Sequence, residues 1–312
     1  ILSYFLFNQN RLVSKTALAE HVWGDYIDQA DNFDFIYSQI KNLRKKLKDE
    51  VFVLKEKGIT PGLAVILVGN DPASKTYVRN KEKACREVGI HSQIFTYDET
   101  VTEDALLEKI AELNENPAFH GILVQLPLPE QIDEKKIIFA IDRKKDVDGF
   151  HPYNIGNLSL GNETFIPCTP KGIMHLLEEI GYSLRGKNAV VIGRSNIVGK
   201  PMGMLLLHAD ATVTYCHSKT ENLPAITKQA DVLVSAVGKP RFIGPEHIKD
   251  GAVVIDCGIN RDEKGRLCGD VDTGKVLDQV SYITPVPGGV GPMTVTMLLA
   301  NTIDAAKRFH RE

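Results

Sequence analysis

The sequence predicts an α/β fold with two domains, each built on a parallel sheet, and a helical segment ahead of them. Apolar segments with strand composition alternate with amphipathic segments from about residue 59 onward, which is typical of parallel sheets with right-handed crossovers. One apolar segment, residues 190–192, runs into a glycine turn, and a helix follows that turn. A length of 312 residues is sufficient for two domains.

The composition excludes several classes of protein. Hydrophobic residues make up 43% and charged residues 25% of the chain, which is ordinary for a globular protein. The net charge of −3 provides no overall basic field for nucleic acid or an anionic membrane. The five cysteines form no Cys-x-x-Cys pair, which favours reduced thiols. Because the sequence also shows no membrane-length apolar run and no export signal, we expect a cytoplasmic protein.

The first part of the chain, residues 1 to about 50, has the pattern of helices with polar breaks. Helices are predicted at residues 16–23 and 33–48. The second one can continue to residue 57, because its apolar residues keep steps of three and four and form one face that can pack on a sheet. These residues are Phe33, Ile36, Ile40, Leu43, Leu47, Val51 and Leu54.

Strands and helices then alternate in two blocks. The first block has predicted strands at residues 63–69, 92–97 and 121–125 and helices at 74–88 and 103–114. The second block has predicted strands at 190–192, 212–216, 231–237 and 252–256. Because ligands of parallel sheets bind at the carboxyl ends of the strands, the residues at those ends are candidates for a site. They include Gln125, Asp148, Gly193 and Asp256.

The glycine turn suggests a phosphate-binding site. Its backbone N–H groups and the following helix N-terminus can face a phosphate, although such a turn is also a common tight connection. The next strand ends in His217-Ser218-Lys219-Thr220, which offers no carboxylate for a ribose hydroxyl. Ser218 and the guanidinium of Arg194 suit a 2′-phosphate instead. The chemistry therefore favours NADP over NAD, and the alternative is a polar loop after an edge strand.

The helix at residues 74–88 carries a candidate acid–base group. Tyr77 and Lys81 are four residues apart and so share one helix face. A lysine beside an aromatic ring in a cleft can serve as acid or base, whereas a solvated lysine is the ordinary alternative. The Tyr-x-x-x-Lys spacing also occurs in short-chain dehydrogenases, but there the pair follows the cofactor turn. Here it precedes the turn, so that interpretation is rejected.

Three further motifs belong to loops. Gln125 ends a strand and is followed by two prolines, which hold it at the edge of the sheet. Asp146 and Asp148 precede a glycine turn, where a single aspartate would be an ordinary turn residue. Residues 285–292 form a rigid Pro/Gly loop that opens a helix, and its backbone could approach a ligand closely.

In their shared order, these motifs resemble the bifunctional methylenetetrahydrofolate dehydrogenase/methenyltetrahydrofolate cyclohydrolase family of the bacterial FolD type. The resemblance extends from about residue 50 to residue 312. It implies NADP-dependent oxidation of 5,10-methylenetetrahydrofolate, hydrolysis of the methenyl product to 10-formyltetrahydrofolate, no metal, and a homodimer. The motifs are the Tyr77/Lys81 pair and residues 124–129, 145–150, 167–170, 193–199 and 285–294.

The resemblance also implies roles for single residues. Lys81 is the expected catalytic lysine, with Gln125 tuning its protonation. Tyr77 is expected to stack on the aminobenzoyl ring of the folate, and Asp148 to bind the pterin. The expected contacts of the cofactor are Gly193, Arg194, Ser195, Ser218 and Ile259.

The implied architecture has a folate-binding domain and a Rossmann-type NADP domain after an N-terminal helical appendage. The expected boundaries are residues 1–47 for the appendage, 48–165 for the folate domain, completed by a C-terminal helix at 292–312, and 166–291 for the NADP domain.

The N-terminal residues depart from the family. The opening strand and Asp-Gly-Lys segment of such enzymes are missing from this sequence, which would leave a sheet edge exposed or a dimer surface altered. Residues 1–47 instead resemble part of the winged-helix effector domain of OmpR-type response regulators, which indicates a chimera. The wing and leading strands of that domain are absent, so DNA binding by residues 1–47 is not expected. The alternatives are a catalytically impaired chimera and a DNA-binding regulator fused to a folate-enzyme domain.

Overall fold

The computed structural model of the protein describes residues 30–310, with side chains from residue 34 onward. The described part begins with a helix of 27 residues, α1 (Ala30–Glu56). The helix predicted at residues 16–23 lies outside the described residues.

The first sheet has three parallel strands in the order β2-β1-β3, so β2 forms one edge. Helices cover the sheet and line its carboxyl edge. The elements are β1 (Gly62–Val68), α2 (Pro72–Val88), β2 (His91–Tyr97), α3 (Glu103–Glu115), β3 (Gly121–Val124), α4 (Glu134–Ala140) and α5 (Pro152–Leu160).

The second sheet has five parallel strands in the order β10-β7-β6-β4-β5, with a small antiparallel hairpin, β8–β9, beside it. The elements are α6 (Cys168–Glu179), β4 (Asn188–Ile192), α7 (Gly199–His208), β5 (Thr212–Cys216), α8 (Leu223–Thr227), β6 (Val232–Ser235), β7 (Ala252–Asp256), β8 (Asn260–Arg261), β9 (Leu267–Cys268), α9 (Thr273–Val276), β10 (Val280–Ile283) and α10 (Val290–Phe309). The predicted two-domain α/β fold with parallel sheets is confirmed.

The long helix α1 packs into the first domain, as its periodicity predicts. Ile36, Ile40, Leu47, Val51 and Leu54 are all buried in the same core, and α1 packs on both α2 and α10. Leu43 is partly buried against that core. The side chain of Phe33 lies outside the described residues. The helix is therefore part of the folded domain and not a detached appendage.

Replacement of Leu47 by alanine tests this packing. Leu47 is 4% exposed, so the shortened side chain leaves a cavity and is expected to cost about 2–5 kcal/mol of unfolding free energy. Denaturant unfolding measures the loss, with the exposed neighbour Lys46→Ala as the control on the same helix. A loss no larger for Leu47→Ala than for Lys46→Ala would show that α1 does not support the core.

The structure differs from the predicted elements mainly at their ends. The strand predicted at residues 121–125 ends at Val124, although the Gln125 N–H still donates to the Ile66 carbonyl at 2.9 Å. The strand predicted at 231–237 is shorter, Val232–Ser235, because the N–H of Val237 turns away to a side-chain carboxylate of Asp270. Helix α2 begins two residues early, where the Asp71 carboxylate accepts from the Ser74 N–H.

Candidate active site

The carboxyl edge of the first sheet brings together the predicted lysine and glutamine. Lys81 Nζ on α2 donates to Gln125 Oε1, which follows β3, at 3.0 Å. Gln125 cannot turn freely, because its Nε2 donates to the Leu126 carbonyl at 2.7 Å and its own N–H is bound to the sheet. Its side-chain oxygen is thus directed at Lys81. A fixed acceptor orients the ammonium group and leaves its other N–H bonds for a ligand.

Tyr77 lies one helical turn before Lys81 and is partly buried. Burial raises the pKa of the Tyr77 phenol, so the ring is neutral at physiological pH. A neutral, partly exposed ring suits stacking on a flat, aromatic ligand. Tyr77 and Lys81 are therefore available on the same face of α2.

The two aspartates of the glycine turn have different surroundings. Asp146 is 2% exposed and accepts hydrogen bonds from the N–H groups of Phe150 and His151 and from Asn154 Nδ2. It therefore holds the turn and the start of α5. Asp148 is only partly buried. Burial raises the pKa of Asp148, and the positive charge of Lys81 opposes that rise. Asp148 is thus the carboxyl group left for a ligand.

Cys168, at the start of α6, is a neighbour of Asp148 that the sequence identified only as part of a motif. Its Sγ donates to the Val147 carbonyl at 3.3 Å, and its thiol also contacts the Asp148 side chain. Burial raises the pKa of Cys168 well above its usual value, so the group is a neutral thiol. Cys168 therefore packs next to Asp148 as an uncharged group.

In the second domain, the glycine turn lies at the carboxyl ends of β4 and β5. The Gly193 N–H donates to the Cys216 carbonyl at 2.9 Å. Gly193 has a φ of 137°, and a Cβ there would lie 2.6 Å from the Ala236 carbonyl oxygen. A Cβ at Gly199 would clash with the Gly193 backbone. Both ends of the turn therefore require glycine, because the backbone packs closely against other parts of the protein there.

The side chains around this turn divide into two groups. The Ser195 hydroxyl accepts from the N–H groups of Val198 and Gly199 at 3.1 and 3.2 Å, so it shapes the turn and the start of α7. Arg194 and Ser218 are exposed, and within residues 30–310 neither side chain has a hydrogen bond or ion pair. They follow Ile192 and Cys216, which are paired in neighbouring strands. Two unused polar groups thus lie at one edge of the sheet.

The Pro/Gly loop before α10 lies beside the last predicted cofactor residue. Ile259 is 50% exposed, and a Cβ at Gly291 would lie 4.0 Å from its Cδ1. The Ile259 loop is held by a buried pair of carboxylates, Asp256, which the sequence placed at the end of a strand, and Asp270, which it did not identify. Asp256 accepts from the Gly258 N–H at 2.8 Å, and Asp270 accepts from Asn260 Nδ2 at 2.9 Å. Burial raises the pKa of Asp256 to about 7.

Helix α10 connects the two halves of the site. It begins beside Ile259, and Thr294 near its start shares a hydrogen bond with Thr169 of α6 at 3.0 Å. Near its end, Lys307 forms an ion pair with Glu50 of α1. The expected return of the C-terminal helix to the first domain is observed. The candidate site is therefore a cleft whose two sheets present their carboxyl ends.

Two features are absent from the described residues: a metal-ligand cluster and a membrane-spanning helix. In the part of the chain from residue 30 to residue 310, no three His, Cys, Asp or Glu side chains converge in a way that could hold a metal ion. Over the same residues, every helix is too short or too polar to cross a membrane.

Three family models match the chain. Residues 38–148 match the catalytic domain of tetrahydrofolate dehydrogenase/cyclohydrolase, and residues 167–310 match the NAD(P)-binding domain of the same enzymes. Residues 1–58 match the C-terminal domain of transcriptional regulatory proteins. This third match agrees with the N-terminal resemblance found in the sequence. Residues 38–58, which include much of α1, fall within both a regulator match and an enzyme match.

Relatives and solved structures agree with the enzyme models. The bifunctional protein FolD of Bacillus cytotoxicus is 60% identical over 265 residues, 85% of this chain and 93% of that protein. The bifunctional enzyme FolD of Campylobacter jejuni has a solved structure with a TM-score of 0.86 and 50% identity, covering 89% of this chain and 98% of that one. The dehydrogenase-cyclohydrolase of Trypanosoma brucei has a solved structure in complex with NADP and an inhibitor. Its TM-score is 0.85 at 41% identity, and the match covers 88% of this chain and 97% of that one.

Proposed function

Because the chain belongs to the tetrahydrofolate dehydrogenase/cyclohydrolase family, we propose that its cleft carries out both reactions of the family. The substrate is 5,10-methylenetetrahydrofolate, which is oxidised with NADP to 5,10-methenyltetrahydrofolate. The same cleft then hydrolyses the methenyl compound to 10-formyltetrahydrofolate. The observation that carries the proposal is the Lys81–Gln125 hydrogen bond of 3.0 Å, next to Asp148 and at the carboxyl edge of a parallel sheet.

The first reaction transfers a hydride from the one-carbon bridge of the folate and leaves a methenyl cation. Bound NADP supplies the hydride acceptor. The chain's own residues bind and orient the folate: the Tyr77 ring stacks on the aminobenzoyl group, and Asp148 accepts N–H donors of the pterin. Asp148 suits this role because the charge of Lys81 and the thiol of Cys168 oppose the rise in its pKa that burial causes, and the pterin N–H groups would oppose that rise further.

The second reaction adds water to the methenyl carbon and releases one proton. Lys81 exchanges that proton with the attacking water, and Gln125 holds the lysine Nζ in place through its acceptor oxygen. Removal of bulk water from the cleft strengthens these interactions, because the effective dielectric constant falls. One positioned lysine thus serves the hydrolysis, while the hydride transfer depends mainly on the orientation of the folate and the cofactor.

Two structural observations support the binding of NADP by the second domain. The Gly193–Gly199 turn leads from the carboxyl end of β4 into the N-terminus of α7, an arrangement in which backbone N–H groups can bind a diphosphate. Arg194 and Ser218 are exposed, unpaired within the described residues and on neighbouring strand ends. We assign the 2′-phosphate to these two side chains, the turn to Gly193 and Ser195, and the nicotinamide side of the cleft to Ile259.

DNA binding by residues 1–47 is not part of the proposed function. The helix that matches the regulator family is α1, and its basic residue Arg44 is used within the enzyme. Arg44 Nε donates to Thr296 Oγ1 at 3.1 Å, and its Nη1 pairs with Glu87 at 3.0 Å. Ile40 and Leu47 on the other face of α1 are buried in the core, so both faces around Arg44 serve the fold of the enzyme.

We also propose a cytoplasmic homodimer with the domain boundaries 1–47, 48–165 together with 292–312, and 166–291. Strand β2 supports the dimer, because among residues 30–310 it is an edge strand of the first sheet, and such an edge can pair with a second copy. Helix α1 continues through the boundary at residues 47 and 48. The appendage and the folate domain therefore share one helix.

An assay of the purified chain with 5,10-methylenetetrahydrofolate and NADP tests the proposal. We expect reduced nicotinamide and 10-formyltetrahydrofolate to accumulate, with a much lower rate when NAD replaces NADP. A folded protein that forms neither product would support the impaired chimera instead. Salt-dependent retention of duplex DNA by the full chain would support the fused regulator.

A further inference from the structure

Asn301, in the middle of α10, is 1% exposed and reaches into the loops of the first domain. Its Nδ2 donates to the Val147 carbonyl at 2.8 Å and to the Ile166 carbonyl at 3.0 Å. An amide nitrogen has two hydrogens, and these two contacts use both. Neither acceptor is near Asn301 in sequence, so the contacts join three separate segments of the chain.

The orientation of this amide is fixed by a lysine. Lys171 Nζ on α6 donates to Asn301 Oδ1 at 2.6 Å. Burial lowers the pKa of Lys171, and both the ammonium group and the neutral amine have N–H bonds that can donate to Asn301 Oδ1. If the amide turned over, its oxygen would face two carbonyl oxygens and its nitrogen would face the ammonium group. Lys171 therefore holds the donors of Asn301 towards Val147 and Ile166.

These contacts lie next to Asp148. The Val147 carbonyl belongs to the peptide group that leads into Asp148, and it accepts from Cys168 as well as from Asn301. On the other side of the turn, Gly149 packs so closely on residues 165–167 that a Cβ would lie 2.7 Å from the Pro167 nitrogen. Asn301 thus connects the two loop segments on either side of Asp148, residues 147–149 and residues 165–167.

Asp148 depends on this support more than its neighbour does. The Asp146 carboxylate is held by three N–H donors, whereas the contact recorded for the Asp148 side chain within residues 30–310 is the thiol of Cys168. A carboxyl group without donors of its own is placed by its backbone. We propose that Asn301 is a positioning residue: it holds the backbone of Asp148 so that the carboxyl group is placed to bind the pterin. This inference rests on the proposed function.

The test compares Asn301→Ala with Thr302→Val. Thr302 is the adjacent buried polar residue, and among residues 30–310 its hydroxyl bonds only to the Leu298 carbonyl of its own helix. We expect Asn301→Ala to raise KM for the folate about tenfold in the cyclohydrolase assay, because two buried hydrogen bonds are lost. The Kd for NADP should not change. Thr302→Val should lower Tm with an unchanged KM.

Lys171→Met provides a second variant in case Asn301→Ala folds poorly. It removes the group that orients the amide, so KM should rise in the same direction but less. An unchanged folate KM in both variants, when Tm falls as in Thr302→Val, would overturn the proposal and leave Asn301 a purely structural residue.

Hydrogen exchange at residues 146–150 separates this inference from the proposed function, since it does not depend on turnover. We expect faster exchange there in Asn301→Ala than in the original chain or Thr302→Val. Unchanged exchange would contradict the positioning role even if the enzyme is active. An inactive original chain with faster exchange in the variant would refute the proposed function alone.

Discussion

Lys81→Met is expected to lower the rate of methenyltetrahydrofolate hydrolysis by a factor of about 10²–10⁴, the usual contribution of a positioned acid–base group. Methionine has a similar length but cannot exchange a proton with water or donate to Gln125 Oε1, the acceptor that lies 3.0 Å from Lys81 Nζ. The dehydrogenase rate should also fall, but less, because the hydride transfer requires orientation and no proton from Lys81.

The binding of NADP should survive in Lys81→Met, because the proposed cofactor contacts lie on the second sheet. A fluorescence titration measures that Kd, and the decay of methenyl absorbance measures the hydrolysis. Lys83→Met is the matched control, since Lys83 is exposed on the same helix. Full hydrolysis by Lys81→Met would show that Lys81 has been assigned the wrong role.

The double substitution Arg194→Ala and Ser218→Ala is expected to weaken the binding of NADP far more than the binding of NAD. Each charge-assisted hydrogen bond to the 2′-phosphate is worth about 1.5–3 kcal/mol, so the loss of two should raise the Kd for NADP by a factor of about 10²–10⁴. NAD lacks that phosphate and should bind the variant nearly as it binds the original chain. The measurement is the Kd of each cofactor by calorimetry.

Lys228→Ala serves as the control for this second prediction, because it removes an exposed cation from the same domain. It should leave both dissociation constants unchanged. An equal loss of affinity for NADP and for NAD in the double variant would mean that Arg194 and Ser218 only shape the two turns. Glycine at residues 193 and 199 is needed by the backbone in either case.

The regular elements of the fold could be predicted from the sequence because their patterns are local. The apolar residues of α1 recur in steps of three and four, and the strand at Gly62–Val68 is a continuous apolar run that is buried at every residue. The short helices α4 and α5 were not predicted. Their seven and nine residues are too few for a clear pattern, and their starts depend on caps from Asp133 and His151.

The candidate site was predicted only as far as sequence motifs extend. Lys81 and Gln125 were identified through their motifs, and the structure brings them into contact. Patterns alone could not distinguish Asp146 from Asp148, because the difference lies in hydrogen bonds to residues 150–154. Asn301 was missed altogether. Its partners are more than 100 residues away in sequence, and a lone asparagine in an apolar helix has no distinctive spacing.

The N-terminal match has a physical consequence for the enzyme. Residues 38–58 match both a regulator model and an enzyme model, and α1 is a single helix through that range as far as Glu56. Its buried face, rather than its basic residues, determines its place in the fold. Charged residues such as Lys45 and Lys48 lie on the exposed side of the helix.

The central claim, that one cleft performs both reactions in sequence, is tested most directly with 5,10-methylenetetrahydrofolate that carries two deuterium atoms on the one-carbon bridge. One deuterium should appear on the reduced nicotinamide of NADPH, and the other should remain in the formyl group of 10-formyltetrahydrofolate. Mass spectrometry of the two products, formed in equal amounts by the purified chain, measures both labels. Reduced nicotinamide without deuterium, or labelled nicotinamide with no formyl product, would contradict the account.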